Sequence, residues 1–390
     1  MSEPIASPSQ GLQFKSYHEW NGDRPSQTLV YHDNSSTWWI RVAISWSLPE
    51  SIRRLGLYKR LTIFQQFIKA IDFNQLHLLD DTVTLITLTV HEQSNQVPMR
   101  KIQDNSQTID SNYFLSIAHQ ISSYTEEDQL RVIYPTPNQA LGLPTFEGSD
   151  LKDSEFITPT VFAVTFNNKR YAYKTIDRLN YAPGDSEDIM NEITALAQFR
   201  RQPNIAQLIG IVLSDDPYKT RPPTSQVITG FLLEFYPGGS LQEVLSDNGD
   251  LEDSLLPRWA LQIGRALETL HTQQRTHLDI KPSNIVLDAA KDAIVIDISG
   301  MGGYTWEWLS PEMQNTIQQG TETPPAETSF SERVATDCWA YGRLLSMMAR
   351  KTASTSLGKW LQSISDDLMK TDLKDRIELS DALKRIQDLE

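Results

Sequence analysis

Polar residues with the chemistry needed for phosphoryl transfer are concentrated in the segment HLDIKPSN, residues 277–284. This segment supplies Asp279, Lys281 and Asn284, and Asp297 follows after two short apolar runs. Two carboxylates with an asparagine between them are costly beside apolar strands unless they bind a metal ion or a substrate. Phosphoryl transfer needs oxygen ligands for a metal, a cation on the phosphates and a carboxylate near the acceptor hydroxyl. The segment offers each of these groups.

A second cation is predicted upstream, on the strand RYAYKTI. Ala172, Lys174 and Ile176 share one face of this strand because strand side chains alternate, so Lys174 is expected to point inward. A helix is predicted to begin near Asp185, and Glu192 lies beside its apolar stripe. A buried Lys–Glu pair can be purely structural, and taken alone Lys174 and Glu192 leave that alternative open.

These segments, in this order, resemble the motifs of the eukaryotic-type protein kinase family. HLDIKPSN resembles the catalytic loop, in which the aspartate orients the acceptor hydroxyl, the lysine contacts the γ-phosphate and the asparagine holds a metal ion. DISG resembles the metal-binding DFG motif. The resemblance implies that Asp279, Lys281 and Asn284 are catalytic and that Asn284 and Asp297 are metal ligands. Asp-x-Lys in the catalytic loop is the serine/threonine-kinase variant.

The resemblance also implies that ATP and magnesium are the cofactors. RYAYK resembles the strand whose alanine covers the adenine and whose lysine binds the α- and β-phosphates, and Glu192 resembles the ion-pair partner of that lysine. LLEFYPGGSL resembles the gatekeeper and hinge, with Leu233 as gatekeeper. The expected cofactor-binding residues are Ala172, Lys174, Glu192, Glu234, Tyr236 and Leu287.

Further matches are structural in the family. LSPEM, with Glu312, resembles the APE motif, and Arg376 resembles the arginine that pairs with its glutamate. Asp337 in TDCWAYG resembles the aspartate that anchors the catalytic loop. His277 is expected to link this loop to its surroundings, because its family counterpart is architectural.

The chain departs from the family pattern in four respects. DSEFITPTVFAV, residues 153–164, contains no glycine where the family has GxGxxG, and Leu278 replaces an arginine. DISG has one residue more than DFG, and the segment 297–312 is short. A pseudokinase that kept the fold but lost efficient turnover is therefore one alternative, and a kinase-fold enzyme acting on a small molecule is another. The Pro-Glu segment and Asp337 favour a protein with a serine or threonine acceptor over a small molecule.

Fold class and domain organisation follow from length, pattern and resemblance. With 390 residues, a two-domain chain is expected. The predicted fold is α+β: a two-lobed protein kinase fold preceded by a smaller α+β region. The predicted boundaries are a disordered tail at 1–12, an accessory region of unknown function at 13–144 and a protein-kinase-like domain at 145–390. Within that domain the β-rich small lobe covers about 145–235 and the helical large lobe about 236–390.

The accessory region shows structural patterns but no chemical motif. Alternation over Trp38 to Trp46 predicts a strand, with a buried helix as the alternative, and helical spacing predicts a helix over residues 58–72. A strand is predicted over Thr82 to Val90 and a helix over Ser111 to Ser122. The turn-rich segment Tyr134 to Pro144 is expected to mark the domain boundary. We expect an unknown regulator to act through this region.

Composition restricts the partners and the compartment. The 35 Lys and Arg residues are outnumbered by 50 Asp and Glu residues, and the net charge of -15 opposes binding to nucleic acid. The single cysteine, Cys338, precludes an intrachain disulfide and fits a reducing compartment. No apolar run is long enough to span a membrane, and the N-terminus lacks the features of a secretory signal. A cytoplasmic or nuclear protein without a membrane partner is therefore expected.

Overall fold

The protein forms two compact units in a computed structural model. The described residues are 11–90, 95–100, 112–139, 142–177, 181–247, 251–300, 303–318 and 324–388. The first unit comprises the chain up to Ile133 together with Tyr181–Pro183 and Asp215–Val227. The second unit comprises Tyr134–Asn180, Gly184–Ser214 and Ile228–Glu390. Within the described ranges, no helix has the length and apolar character needed to cross a membrane.

The described part of the first unit contains one five-stranded sheet with the order β1-β2-β3-β4-β5. The strands are β1 (Gly11–Trp20), β2 (Asp23–Asp33), β3 (Ser36–Ile44), β4 (Val83–Val90) and β5 (Ile121–Glu127). The helices are α1 (Glu50–Arg53), α2 (Leu57–Ala70) and α3 (Tyr113–Ser116). Strands β3 and β4 are parallel, whereas the other neighbours are antiparallel. A parallel pair requires a crossover connection, and α2 lies in it.

Helix α2 covers one face of this sheet. Phe64, Phe67 and Ile68 have no exposed surface, because apolar residues three and four positions apart form a single helical stripe. This stripe packs with buried side chains of the sheet, including Ile40 and Val42. The predicted helix over residues 58–72 and the predicted strands that correspond to β3 and β4 are confirmed.

Two features of the first unit differ from the sequence prediction. The helix predicted over Ser111 to Ser122 is wrong as a single element, because it is present only as α3 and a 3-10 turn at Ala118–Gln120, and β5 begins at Ile121. Ser111 lies outside the described residues. The Asn112 side chain accepts the N–H groups of Phe114 and Leu115, which caps this short helix. Strand β1 begins at Gly11, inside the predicted tail, whereas residues 1–10 lie outside the described residues.

The small lobe of the second unit is built on a sheet of six strands in its described part, with the order β6-β10-β11-β9-β8-β7. The elements are β6 (Thr145–Glu147), β7 (Lys152–Thr158), β8 (Val161–Phe166), β9 (Lys169–Thr175), α4 (Asp185–Gln198), β10 (Leu208–Asp215) and β11 (Gln226–Glu234). Strands β7, β8, β9 and β11 pair antiparallel in this sequence of neighbours, and β6 runs parallel to β10. Buried β-branched and leucine side chains form the core of the lobe.

In its described residues, the large lobe is mainly helical and contains one small hairpin. Its elements are α5 (Leu241–Ser246), α6 (Leu255–Thr272), β12 (Ile285–Leu287), β13 (Ala293–Val295), α7 (Pro311–Gln318), α8 (Phe330–Lys351), α9 (Thr355–Leu368) and α10 (Leu379–Gln387). Helix α6 buries Trp259, Ile263 and Leu267. The segment 277–284 follows α6, which ends at Thr272, and it closes with a single 3-10 turn at Pro282–Asn284. The predicted α+β, two-lobed kinase fold is confirmed.

Candidate active site

Lys174 lies between two carboxylates. Its ammonium nitrogen Nζ is 2.8 Å from Glu192 Oε1 and 2.7 Å from Asp297 Oδ1. Strand β9 supplies the lysine, α4 supplies Glu192, and Asp297 follows the β12–β13 hairpin. Glu192 is buried, whereas the Asp297 side chain is 45% exposed. The structure thus brings Lys174 together with Glu192, 18 positions later in the sequence, and with Asp297, 123 positions later.

Charge pairing determines the ionisation of these groups. Burial opposes the charge on Lys174, but the carboxylates of Asp297 and Glu192 outweigh burial and raise the pKa of Lys174 above its ordinary value. The positive charge of Lys174 in turn lowers the pKa of Asp297. Lys174 is therefore a cation and Asp297 a carboxylate at neutral pH.

The carboxylate of Asp279 is held by donors on both of its oxygens. Oδ1 accepts the main-chain N–H of Thr305 at 3.1 Å and its hydroxyl at 2.9 Å. Oδ2 accepts the Asn284 amide at 3.0 Å and the Lys281 ammonium at 2.6 Å. Lys281 also donates to the Thr305 hydroxyl at 2.8 Å. These contacts fix the direction of the Asp279 side chain.

The buried carboxylate of Asp337 positions the segment that carries Asp279. It accepts the main-chain N–H of His277 at 2.8 Å and of Leu278 at 2.7 Å, and it contacts His271 Nε2 at 2.9 Å. Leu278 has a φ of 65°, a backbone conformation that costs energy for a side chain of this size. The charge-assisted hydrogen bonds that the N–H groups of His277 and Leu278 donate to Asp337 offset that cost.

His277 connects the same segment to the hairpin. Its Nδ1 accepts the N–H of Asp279 at 3.2 Å, and its Nε2 lies 2.8 Å from the carbonyl oxygen of Ile296. One acceptor and one donor correspond to a neutral imidazole with the proton on Nε2. His277 thus has an architectural position, directly between Asp279 and the residue before Asp297.

Glu312 and Arg376 form a bidentate ion pair. The two guanidinium contacts are 2.6 and 2.9 Å long, and the Arg376 guanidinium lies 5.0 Å from the ring centre of Trp339. Burial of Glu312 opposes its ionisation, but the hydrogen bonds from Arg376 lower its pKa overall. The pair joins α7 to the segment before α10.

The hairpin of β7 and β8 differs from a glycine-rich phosphate loop. Thr158 pairs with Val161, so Pro159 and Thr160 form the turn, and every residue of β7 is exposed. Val161 in turn lies directly across from Lys174 in the ladder of β8 and β9. Cross-strand partners project from the same face, which puts a branched side chain beside Lys174. Glycine would leave bare backbone amides at such a position.

The strand register also places the residues expected around the adenine. Ala172 lies across from Ala163 on β8 and from Leu233 on β11. Leu287 is buried on β12. The N–H of Glu234 donates to the carbonyl of Gln207 at 3.0 Å, so of the main-chain groups of Glu234 only the carbonyl is left for a ligand. The structure therefore adds Ala163 to the predicted residues.

Asn284 and Asp297 fit a magnesium ion. The amide nitrogen of Asn284 donates to the carbonyl and carboxylate oxygens of Asp279, which orients the amide group. Its amide oxygen has no hydrogen-bond partner among the described residues. Amide and carboxylate oxygens are the hard ligands that magnesium prefers. The partly exposed Asp297 carboxylate supplies the negative charge.

Thr305 is the site residue that the sequence did not reveal. It contacts Asp279 across 26 positions, and nothing in its residue type or local pattern indicates this contact. Ala163 could have been predicted from the sequence, because it lies about as many residues before the β8–β9 turn as Ala172 lies after it. The predicted residues Lys174, Glu192 and Asp297 form one cluster, and Asp279, Lys281 and Asn284 form the other.

Comparison with known proteins identifies related sequences. A sequence profile described as the protein kinase domain matches residues 159–385, more than half of the 390-residue chain. The match begins at Pro159, so β7 lies outside it. Both clusters of site residues lie inside it.

Curated relatives are similar over part of their length. Integrin-linked protein kinase 1 of Arabidopsis thaliana is 28% identical over 156 residues, which cover 39% of this chain and 30% of that protein. Serine/threonine-protein kinase 12 of the same plant is 29% identical over 152 residues, covering 38% and 31%. Serine/threonine-protein kinase PKH2 of Saccharomyces cerevisiae is 25% identical over 224 residues, covering 53% and 19%. The chain thus spans less than a third of the length of these relatives.

Proposed function

Because the chain belongs to the protein kinase family, we propose that it transfers the γ-phosphate of magnesium-bound ATP to a serine or threonine hydroxyl of a protein substrate. The observation that carries this proposal is the position of Lys174 Nζ, between Glu192 at 2.8 Å and Asp297 at 2.7 Å. This arrangement joins a phosphate-binding cation to a metal-binding carboxylate. The second cluster, around Asp279, supplies the groups that act on the acceptor.

Lys174 and the two metal ligands, Asn284 and Asp297, hold the nucleotide. Lys174 neutralises the α- and β-phosphates, and Glu192 keeps its ammonium group in place. Magnesium, when bound to Asn284 and Asp297, supplies charge neutralisation at the β- and γ-phosphates. Asp297 stays ionised for this purpose because the charge of Lys174 lowers its pKa.

Apolar side chains and the hinge backbone hold the base. Ala163 and Ala172 are neighbours on one face of the sheet and cover the adenine, while Leu287 supports it from the β12–β13 hairpin. The carbonyl of Glu234 and the main chain of Tyr236 face its polar edge. The pairing of Ala163 with Ala172 in the β8–β9 ladder supports this arrangement.

Asp279 receives the proton of the acceptor hydroxyl. Its carboxylate is already oriented by Thr305 and Asn284, so little reorganisation precedes the transfer. The Lys281 ammonium, 2.6 Å from Asp279 Oδ2, neutralises charge that develops on the transferred phosphoryl group. Incubation with labelled ATP, magnesium and generic protein substrates tests the proposal. Absence of labelled protein at high enzyme concentration contradicts it.

One observation favours a second candidate, a nucleotide-binding pseudokinase that acts as a scaffold. Val161 lies across from Lys174, and Pro159 lacks a backbone donor at the hairpin turn. Pro159 thus removes one of the amide groups with which a glycine-rich loop encloses phosphates, and the Val161 side chain hinders close approach to the backbone beside Lys174. Binding without transfer in the labelled-ATP experiment would support this candidate.

Thr305→Ala is expected to lower the rate of phosphoryl transfer by about tenfold, while the affinity for magnesium-ATP stays the same. Alanine removes the hydroxyl that donates to Asp279 and accepts from Lys281, and a hydrogen bond to a charged group contributes about 1.5–3 kcal/mol. Thr305→Ser keeps the hydroxyl and serves as the matched control. Single-turnover rates measure the effect, and equal rates for the alanine and serine variants would contradict it.

Activity is expected not to require phosphorylation of the segment 303–310. Leu278 is buried where the family has a phosphate-binding arginine, and the Ser310 hydroxyl is buried against Thr336 at 3.0 Å. The Thr305 hydroxyl already donates a hydrogen bond to Asp279. A phosphoryl group on either hydroxyl would thus break an existing contact without gaining this arginine. Phosphatase treatment, checked by mass spectrometry, should leave the rate unchanged. Loss of activity traced to a phosphate on Thr305 or Ser310 would overturn this expectation.

A further inference from the structure

The connection between β10 and β11 folds with the first unit. Residues Asp215–Val227 lie inside the protein kinase match, yet they are part of the compact unit formed by the N-terminal region. Strand β11 begins inside this segment, at Gln226, and carries Leu233 and Glu234 at its other end. A segment of the catalytic domain's sequence is therefore held by the accessory region.

Asp81 forms the centre of the contacts that hold this connection in the first unit. Its carboxylate accepts the N–H of Thr220 at 3.0 Å and the ammonium group of Lys219 at 2.7 Å. The N–H of Asp81 donates in return to the Thr220 hydroxyl at 2.8 Å. The hydrogen bonds from Lys219 and Thr220 lower the pKa of Asp81, so the carboxylate is ionised at neutral pH. The contact is reciprocal and involves main chain on both sides.

Strand β3 contributes a second set of contacts. The N–H of Thr37 donates to the carbonyl of Thr220 at 2.9 Å, and Thr220 is only 3% exposed. The Trp39 and Tyr218 rings meet edge to face, with their centres 5.5 Å apart. Backbone pairing, burial and ring packing show that the connection is a fixed part of the first unit.

A third set of contacts remains open to solvent. Arg221 pairs with Asp80 at 3.1 Å, and their side chains are 57% and 50% exposed. Lys219 and Asp81 are also partly exposed. Solvent-exposed ion pairs contribute little stability and exchange readily for other partners. A molecule that binds the first unit here can thus compete for these charges while the buried contacts of Thr220 persist.

We propose that the first unit is a built-in regulator of the nucleotide site, acting through the connection that it holds between β10 and β11. The connection and β11 are one continuous backbone, and β11 ends in the residues that face the adenine. Loosening the connection frees the start of β11 and lowers nucleotide affinity, and nucleotide binding tightens the connection by the same factor. This inference rests on the proposed nucleotide site.

Asp81→Ala, compared with Asp23→Ala, tests the inference in the full-length protein. Asp23 is a matched control because its carboxylate also accepts a backbone N–H in the first unit, that of Leu48, but does so away from the connection. Hydrogen exchange of residues 228–234, the part of β11 outside the connection, and calorimetric titration with magnesium-ATP are measured for both. In Asp81→Ala we expect faster exchange in β11 and an affinity lower by about fivefold. In Asp23→Ala both should stay at the parent level.

A second variant protects the test against simple misfolding. Lys219→Met removes the ion pair but keeps the backbone contacts of Thr220 with Asp81, and it should show the same two effects more weakly. Unchanged exchange in β11, with faster exchange confined to the connection, would overturn the inference. Unchanged affinity in both variants would overturn it as well. If the parent binds no nucleotide, the proposed function fails, and β11 exchange alone then decides whether the first unit controls this strand.

Discussion

Asp279→Asn is expected to slow phosphoryl transfer by about 10²–10⁴-fold, the usual contribution of a general base. An amide has nearly the shape of a carboxylate but cannot take the proton of the acceptor hydroxyl. Nucleotide binding should change little, because the proposed mechanism assigns the phosphates and the metal to Lys174 and Asp297. Rapid-quench measurement of a single turnover, with saturating magnesium-ATP and protein substrate, gives the rate of the chemical step.

The amide at position 279 also has a structural cost that a control must separate from chemistry. Both oxygens of Asp279 accept hydrogen bonds, whereas an amide keeps one oxygen and would turn its nitrogen toward a donor. Thermal unfolding and ATP titration of the variant show whether the site remains formed. Asp288→Asn is the matched substitution, because Asp288 only accepts main-chain N–H groups in the β12–β13 turn. A folded Asp279→Asn protein that transfers phosphate at the parent rate would show that the assigned mechanism is wrong.

Nucleotide binding is expected to depend strongly on magnesium, and Asp297→Ala should abolish that dependence. The β7–β8 hairpin has side chains and a proline where bare amides would otherwise bind phosphate. Lys174 and the metal on Asn284 and Asp297 therefore carry most of the phosphate affinity. Each charge-assisted contact contributes about 1.5–3 kcal/mol, so losing one weakens binding by about tenfold or more.

Lys174→Met removes the other half of the phosphate site. In the parent, the charge of Lys174 lowers the pKa of Asp297, so the variant should bind magnesium-ATP less tightly at mildly acidic pH than at neutral pH. Lys169→Met is a suitable control, because Lys169 lies on the same strand but pairs loosely with Glu234 at 3.8 Å. Calorimetric titrations with and without magnesium measure both effects. Tight binding without metal would contradict this account, and absence of binding under either condition would remove the basis for the proposed enzyme.

The local spacing of apolar residues correctly predicted the helices and strands that bury one regular apolar face. Helix α2 was predicted because its apolar residues recur every three or four positions, and β3 because they alternate. Strand β1 was not predicted, since it lies at the edge of the sheet and exposes polar side chains on much of its length. The helix predicted near Ser111 was wrong because apolar spacing in a short window fits both a helical turn and the start of a strand.

The candidate site was predictable where it rests on residue types in a fixed order. The spacing of Asp279 and Asn284 is local, and the pairing of Lys174 with Glu192 follows from one strand and one helix. The contact of Thr305 with Asp279 was not predictable, because it depends on how the chain returns to the catalytic segment. The packing of the connection 215–227 into the first unit was equally unpredictable from the sequence. It depends on contacts between residues such as Asp81 and Thr220, which are 139 positions apart.

Holding the connection within the first unit has a practical consequence for isolating the protein kinase domain. A fragment that starts at Tyr134 would retain the connection but lose Thr37 and Asp81, so Tyr218 and Thr220 would become exposed and promote aggregation. The base of the connection is already closed, because the N–H of Asp216 donates to the carbonyl of Ser225 at 2.7 Å. Replacing the residues between Asp216 and Ser225 with a short polar turn would thus keep β10 and β11 in place. Such a shortened fragment, rather than a simple truncation, is the form of the domain suited to crystallisation and inhibitor screening.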